Sequence, residues 1–290
     1  MQNKLNLIAP LAAGAGLCLA AQAQHYPIGV EGIKGGSLPP PGVYLRDYNL
    51  FYWADQFNGA DGNAVPGDFE AFVYAQAPRL IWITDLKILG GYYGMDTLIP
   101  FLYKDIEAGG YSGSNFNLGD IFIEPITLSW HGQQFDLGVG YGFWAPTGNT
   151  GEPVDAGMGF WGHMMTLGGT WYPDRQKTWS LSALARYEIN QENEETSIAS
   201  GNEVSLEWGL SKALSKSWEL GAIGYWQQQT TGDTGPGTTS DLDSVWGLGP
   251  ELVWSCGKCM TFVSARYIYE IESSNRPQGN TVTLTLTKRF

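Results

Sequence analysis

The sequence predicts an all-β protein, a transmembrane antiparallel up-and-down β-barrel of about twelve strands. Three observations carry that expectation: extended segments of alternating polarity, connections that are alternately long and short, and a composition unlike that of a water-soluble globule. Charged residues are 16% of the chain and glycines number 39 in 290, against about 25% charged and roughly 7% glycine in ordinary soluble domains. Aromatics add 13%, including 12 Trp. Such a chain is rich in strand-forming rings and poor in the Lys and Glu that clothe soluble helices. A formal charge of −13 repels phosphate and no basic stripe offsets it, so no nucleic-acid partner is expected.

Residues 1–23 read as a secretory signal. They carry one positive charge at Lys4, an apolar stretch from Leu5 to Ala20 and the small-x-small triplet Ala21-Gln22-Ala23, with cleavage expected before Gln24. Pro10, Gly14 and Gly16 interrupt the run, which is shorter than the ~20 apolar residues of a spanning helix. Cleavage removes one Lys and no acid, so the net charge moves from −13 to −14. No second long apolar run follows, which excludes a helical membrane protein. Residues 24–41, with Gly35-Gly36 and Pro39-Pro40-Pro41, cannot pair as a central strand. They are expected as either a periplasmic tail or a plug reaching into a barrel mouth, with the barrel itself over 42–290.

From Gly42 onward, segments of about 11 to 17 residues alternate with period two, each long enough to cross a bilayer at a tilt. In Asn280 to Phe290, Val282, Leu284, Leu286 and Phe290 take one face and Thr281, Thr283, Thr285, Thr287 and Arg289 the other. Glu203 to Lys212 sets Val204, Leu206, Trp208 and Leu210 against Glu203, Ser205, Glu207 and Ser211. Phe135 to Trp144 and Cys259 to Glu272 repeat the rhythm, the latter opposing Val263, Ala265, Tyr267, Tyr269 and Ile271 to Ser264, Arg266, Glu270 and Glu272. The third strand, about Leu86 to Lys104, is interrupted by Gly90-Gly91, Gly94 and Pro100, and the fourth by Pro125, so bulges or kinks are expected there.

Half-buried strands of a soluble sandwich would alternate in the same way, so the connections decide. Polar, Gly-rich loops are expected at Asn58–Asp68, Asp105–Asn117, Thr147–Gly157, Gln191–Asn202, Thr231–Asp243 and Ser273–Gly279. Short turns are expected near Thr84-Asp85, His131–Gln133, Pro173–Lys177, Ser215–Ser217 and Gly257-Lys258. Long loops at one end and short turns at the other mark an outer-membrane barrel. Tryptophans agree: Trp82, Trp130, Trp171, Trp179, Trp218 and Trp254 fall near short turns, and Trp53, Trp144, Trp226 and Trp246 near loops, as two interfacial girdles would require.

After signal removal the cysteines are Cys256 and Cys259, in Cys256-Gly257-Lys258-Cys259. A closed zinc site needs four ligands, and His25, His131 and His163 are scattered, so neither metal nor cofactor is expected. In an oxidising compartment the pair is expected to form a structural disulfide across a tight turn. With the apolar faces on lipid, Arg186, Glu188, Glu203, Glu207, Glu251, Arg266 and Glu270 point into the lumen. They form either a charged constriction that selects solutes or a paired scaffold. Tyr48, Tyr52, Tyr225 and Phe69 are candidate stacking surfaces for an aromatic solute.

The carboxyl-terminal Thr285-Leu286-Thr287-Lys288-Arg289-Phe290 resembles the signal that outer-membrane barrels present to their assembly machinery, with Phe290 as the final aromatic and Lys288 where an apolar residue is usual. His25-Tyr26-Pro27, Gly29-Val30-Glu31-Gly32-Ile33-Lys34, Leu38-Pro39-Pro40-Pro41-Gly42 and Tyr48-Asn49-Leu50-Phe51-Tyr52 resemble the family named for the MetA pathway of phenol degradation. So do Pro78-Arg79-Leu80-Ile81-Trp82-Ile83-Thr84, Gly119-Asp120, Pro125, Trp130-His131 and Ala145-Pro146-Thr147-Gly148. That resemblance implies a Gram-negative outer-membrane barrel grouped with channels for hydrophobic or aromatic compounds, and it carries over no catalytic or ligand residue.

The functional expectation is a channel in the cell outer membrane for passive uptake of small apolar or aromatic solutes, with the bilayer and the barrel-assembly machinery as further partners. The alternatives are a barrel enzyme acting on lipids and a mainly structural barrel. An enzyme needs a Ser or Asp partnered by a His at the rim. His163 is the one His inside a strand, and its neighbours Trp161, Met164 and Met165 offer it no acid, so a non-enzyme is expected.

Overall fold

The computed structural model describes residues 24–290, and the expected signal segment lies outside the described residues. Twelve antiparallel strands close into a barrel: β1 (Gly42–Asn58), β2 (Phe69–Ile88), β3 (Gly91–Leu98, continued by Phe101–Ala108), β4 (Tyr111–Leu118, continued by Ile121–His131), β5 (Phe135–Ala145), β6 (Gly162–Trp171), β7 (Trp179–Asn190), β8 (Glu203–Ala213), β9 (Trp218–Gln229), β10 (Ser244–Cys256), β11 (Thr261–Ser274) and β12 (Arg276–Arg289). Closure comes from β1, which pairs with β2 from Gly42↔Ile83 to Ala54↔Ala71 and with β12 from Tyr44↔Arg289 to Asn58↔Arg276. Each other strand pairs with its sequence neighbours.

The faces sort as the alternation requires. Leu284 and Leu286 are exposed while Thr281, Thr283 and Thr285 are buried. Leu206 and Leu210 face out, and Glu203, Ser205, Glu207 and Ser211 face in. Exposed Leu80, Leu137, Leu167, Leu181, Leu220 and Leu248 continue an apolar belt around the wall. In water that belt would be a severe liability; against hydrocarbon it is the favourable surface. Glu272 departs from the expected inward face and is exposed at the loop end.

The middle of the chain corrects several expected boundaries. The turn expected near Thr84-Asp85 lies at Leu89-Gly90, both with positive φ, because β2 runs on to Ile88 after a register shift between Ile83 and Lys87. Asp105–Asn117 is not a loop. It is the ladder Phe101–Ala108 with Tyr111–Leu118, turning tightly at Gly109-Gly110. Ser273–Gly279 likewise shrinks to a turn at Asn275, with φ 56°. Both stretches read as loops because their ladders rise beyond the belt, where no face has to be apolar. The kinks fall where Pro and Gly predict: β3 breaks at Ile99-Pro100, β4 at Gly119-Asp120, and register shifts occur at Gly94/Asp96 and across Pro125.

The girdles are present with one correction. Trp82, Trp171, Trp179 and Trp218 are exposed near the short turns, and Trp53 and Trp246 near the loops. Trp144 instead turns inward and is buried, because it shares the lumen face of β5 with Asp136 and packs on Phe122. Cys256 and Cys259 are joined by a disulfide in the turn before β11.

If the belt faces hydrocarbon, Leu284→Arg near its middle should cost about 2–4 kcal/mol. Urea unfolding in lipid vesicles measures this, and an unchanged midpoint would contradict the assignment of that face.

Candidate functional site: the occupied lumen

Residues 24–41 run through the barrel rather than beside it. Gln24 to Val30 lie under the long-loop end, and Ile33 to Pro40 line the vestibule at the short-turn end. Two contacts explain why the segment fits. Ile33 packs with Ile223, Tyr225, Val245 and Ile268, while Tyr26 and Val30 pack with Tyr48, Leu50, Phe122, Trp144 and Met164. Gly36 lies on the backbone of β6 and β7, where a Cβ would come within 2.4 Å of the Ala183 carbonyl and 2.5 Å of Gly169. No residue but glycine passes there without moving the wall.

The lumen-lining residues expected from the sequence all point inward and are buried, and they are tied to this segment, to one another or to other residues of the wall. Glu188 accepts from His25 Nδ1 at 2.7 Å. Glu207 accepts from the Tyr26 hydroxyl, from the Glu31 amide at 3.1 Å and from Arg186 at 3.2 Å. Glu251 takes the Ile33 amide at 2.5 Å and pairs with Arg266 at 3.2 Å, while Arg266 donates to the Val30 carbonyl. Glu270 accepts from Tyr52 at 3.1 Å, Tyr225 at 2.9 Å and the Gly279 amide at 2.6 Å. Glu203 accepts from Gln227 at 2.7 Å. The seven residues thus fall into separate clusters along the lumen rather than one ring.

The centre of the network was not singled out from the sequence. Glu31 receives Arg46 at 2.9 Å, Arg79 at 3.0 Å and Arg186 at 3.3 Å. Arg79 also grips Asp96 with two bonds, 2.7 and 2.8 Å, and Glu124 with a third at 2.9 Å. Arg79 and Glu124 interrupt the apolar runs Leu80-Ile81-Trp82-Ile83 and Ile121-Phe122-Ile123, and that interruption was the available signal. A charge in such a run is retained only where partners receive it. Tyr48, Tyr52 and Tyr225 turn inward, with hydroxyls on Glu31 and Glu270 and rings that line the cavity above Glu31. Phe69 packs edge-on to Phe57 and beside the Ile106 cluster.

Above Glu31 the lumen holds a cavity of about 280 Å³. Its apolar wall includes Leu50, Val73, Leu98, Pro100, Leu102 and Phe122, and its floor is Tyr26 to Glu31. On one side it is bounded by a loop instead of a strand, because Ala156 and Met158 reach it beside the breaks in β3 and β4. Asp120, at the β4 break, holds that loop by accepting the Gly148 amide at 2.9 Å and the Met158 amide at 2.7 Å. It also lies 3.3 Å from His25 Nε2. His25 stacks on Trp144 and meets Phe160 edge-on. His163, by contrast, contacts the Tyr141 hydroxyl at 2.9 Å and Gln191 at 3.0 Å, with no carboxylate partner among the described residues. Among the described residues no group of three or more His, Cys, Asp or Glu side chains is arranged so that it could hold a metal ion.

Residues 54–286 match the model of the family described as "Putative MetA-pathway of phenol degradation". The chain belongs to this family. No curated protein sequence matches it significantly. An outer membrane channel from Pseudomonas putida F1 superposes with a TM-score of 0.78 at 14% identity, covering 92% of this chain and 100% of that one. The beta domain of a Bordetella autotransporter follows at 0.54 and 14% identity, over 87% and 100% of the two chains. The translocator domain of the Neisseria meningitidis autotransporter NalP gives 0.51 and 14%, over 88% and 91%. These likenesses are of fold, and they place the family member among outer-membrane barrels.

His25 gives a pH prediction. Burial pushes its imidazole down, but hydrogen bonds and charge from Asp120 and Glu188 outweigh burial and lift its pKa from 6.5 to about 9. A raised folded pKa means that this docking energy is complete below about pH 6.5 and lost as pH rises through about 9; a shift of this size is worth roughly 3 kcal/mol. Trypsin cleavage after Lys34, normalised to unfolded chain, should therefore accelerate between pH 8 and 10. In His25→Gln it should be faster at pH 7 and nearly independent of pH. A flat profile in the unmodified protein would contradict this role of the His25 contacts with Asp120 and Glu188.

Proposed function

We propose that the protein is a passive outer-membrane channel for small hydrophobic or aromatic compounds, with no catalytic role. The single observation that carries this reading is the cavity: a mainly apolar chamber under the long-loop end of a closed barrel, sized for a small molecule. Family membership and the fold of the Pseudomonas putida channel support it. The isolated His163 offers no acid–base pair for lipid hydrolysis. At the other end Phe290 is exposed beside the start of β1, its amide on the Val43 carbonyl, where the assembly machinery would read it.

A solute enters among the loops and rests in the cavity. Below it the floor of residues 26–31, with Glu31 paired to Arg79 and Arg186, blocks a straight descent. Exit then requires either displacement of that segment or passage through the wall beside Pro100, where a loop replaces a strand.

Vesicles with a lipopolysaccharide outer leaflet resist apolar solutes, and purified protein should speed entry of labelled toluene or phenol across them. Rates equal to those of protein-free vesicles would end the channel reading. Gly36→Val, which drives a side chain into the β6–β7 backbone, should loosen the segment and raise single-channel ion conductance severalfold over the unmodified protein.

A further inference from the structure

The exterior of the barrel changes sign along its axis. At the long-loop end twelve Asp and Glu residues are exposed, Asp55, Glu70, Glu107, Glu192, Glu194 and Glu195 among them, and no Lys or Arg is exposed there among the described residues. Glu70 and Glu107 even stand directly opposite one another across β2 and β3, an arrangement that repels. At the short-turn end Lys87, Arg175, Lys212, Lys216 and Lys258 are exposed against one exposed acid, Asp85. The interior continues the acidic bias. Among the described residues eleven Asp and Glu are buried against four Lys and Arg. Four cations do line the cavity, and each is engaged: Arg79 and Arg186 by Asp96, Glu124, Glu207 and Glu31, Lys104 by the Asp155 carbonyl at 2.6 Å, and Arg276 by Gln24 and Gln227 at 3.3 and 3.1 Å.

We infer that this acidic mouth sets the substrate class of the channel: it admits uncharged apolar or aromatic molecules and turns away their anionic counterparts. The inference rests on the channel reading above. A single-sign field over a low-dielectric entrance changes the local concentration of a charged solute by about 10-fold to 1000-fold, whereas a neutral solute feels none of it. The repulsion is also the part of selectivity that salt removes, since the screening length falls from ~30 Å at 0.01 M to ~3 Å at 1 M. Exclusion of anions by a greasy cavity alone would survive high salt.

Benzyl alcohol and benzoate form a pair matched in size, one neutral and one a carboxylate at pH 7. In the lipopolysaccharide-faced vesicles, the protein-dependent rate for benzyl alcohol should exceed that for benzoate by about 10-fold or more in 10 mM salt. The ratio should fall severalfold in 1 M salt. Glu192→Gln, Glu194→Gln and Glu195→Gln together, all on an exposed loop, should lower the low-salt ratio two- to fivefold and leave the benzyl alcohol rate unchanged. A ratio insensitive to both salt and the triple substitution, or benzoate crossing as fast as benzyl alcohol, overturns the inference while the channel reading stands. Protein-dependent entry of neither solute overturns both.

Discussion

A peptide group inside hydrocarbon has no water to bond with, so every strand crossing the membrane must be paired on both edges. This constraint closes the barrel through β1 and makes irregularities in the wall informative. Where β3 and β4 break, at Ile99-Pro100 and Gly119-Asp120, the freed groups are recaptured locally. The Gly119 amide bonds the Pro100 carbonyl at 2.8 Å, and the Ile99 amide bonds the Pro78 carbonyl at 3.1 Å. Above the break the outer half of β4 pairs with β3 alone, and the 146–161 loop lies beside it, anchored on Asp120. One carboxylate thereby serves the wall, the loop and, through His25, the segment inside.

The interior obeys a second accounting, that of charge. Twelve strands enclose a narrow lumen, and burying so many ions there costs several kcal/mol each unless partners are close. The wall pairs Arg79 with Asp96 and Glu124, Arg186 with Glu207 and Arg266 with Glu251, but not every charge is matched within it. Arg46, Arg79 and Arg186 converge on Glu31, which the wall does not supply, and Glu188 faces His25, which it does not supply either. Wall and internal segment are therefore complementary halves of one ionic network. Removing either would leave uncompensated charges on the other.

Much of the barrel was legible in the sequence because a lipid-facing strand has to advertise one greasy face. Residues 203–213 and 280–289 do so residue by residue, and their inward sets, Glu203–Ser205–Glu207 and Thr281–Thr283–Thr285, follow from parity. The reading failed where that requirement lapses. Asp105–Asn117 rises beyond the belt, where neither face has to be apolar, so it reads as loop. Trp144 was placed in a girdle by its nearness to a loop, yet parity with Asp136 puts it inside. The seven lumen residues were found the same way. Their partners His25 and Glu31 were not, since a Gly- and Pro-rich segment has no period from which a facing could be read.

The same two accountings bear on the path of a solute. An apolar molecule in the cavity sees Leu50, Val73, Leu98 and Leu102 to its sides and, beneath, a floor built on Glu31 and its three arginines. To go straight down it must part charges that hold one another at 2.9–3.3 Å, leaving buried ions unpaired without offering them hydrogen bonds in return. Sideways it meets the loop that carries Ala156 and Met158, which turns apolar surface to the cavity and is anchored on Asp120 through the Gly148 and Met158 amides. A polar solute would face the opposite balance, since it could replace some of the floor's bonds but none of the wall's contacts. On the proposed channel reading, the arrangement would couple what the cavity accepts to where its occupant goes: the more apolar the solute, the more the kinked wall would be favoured over the axial route.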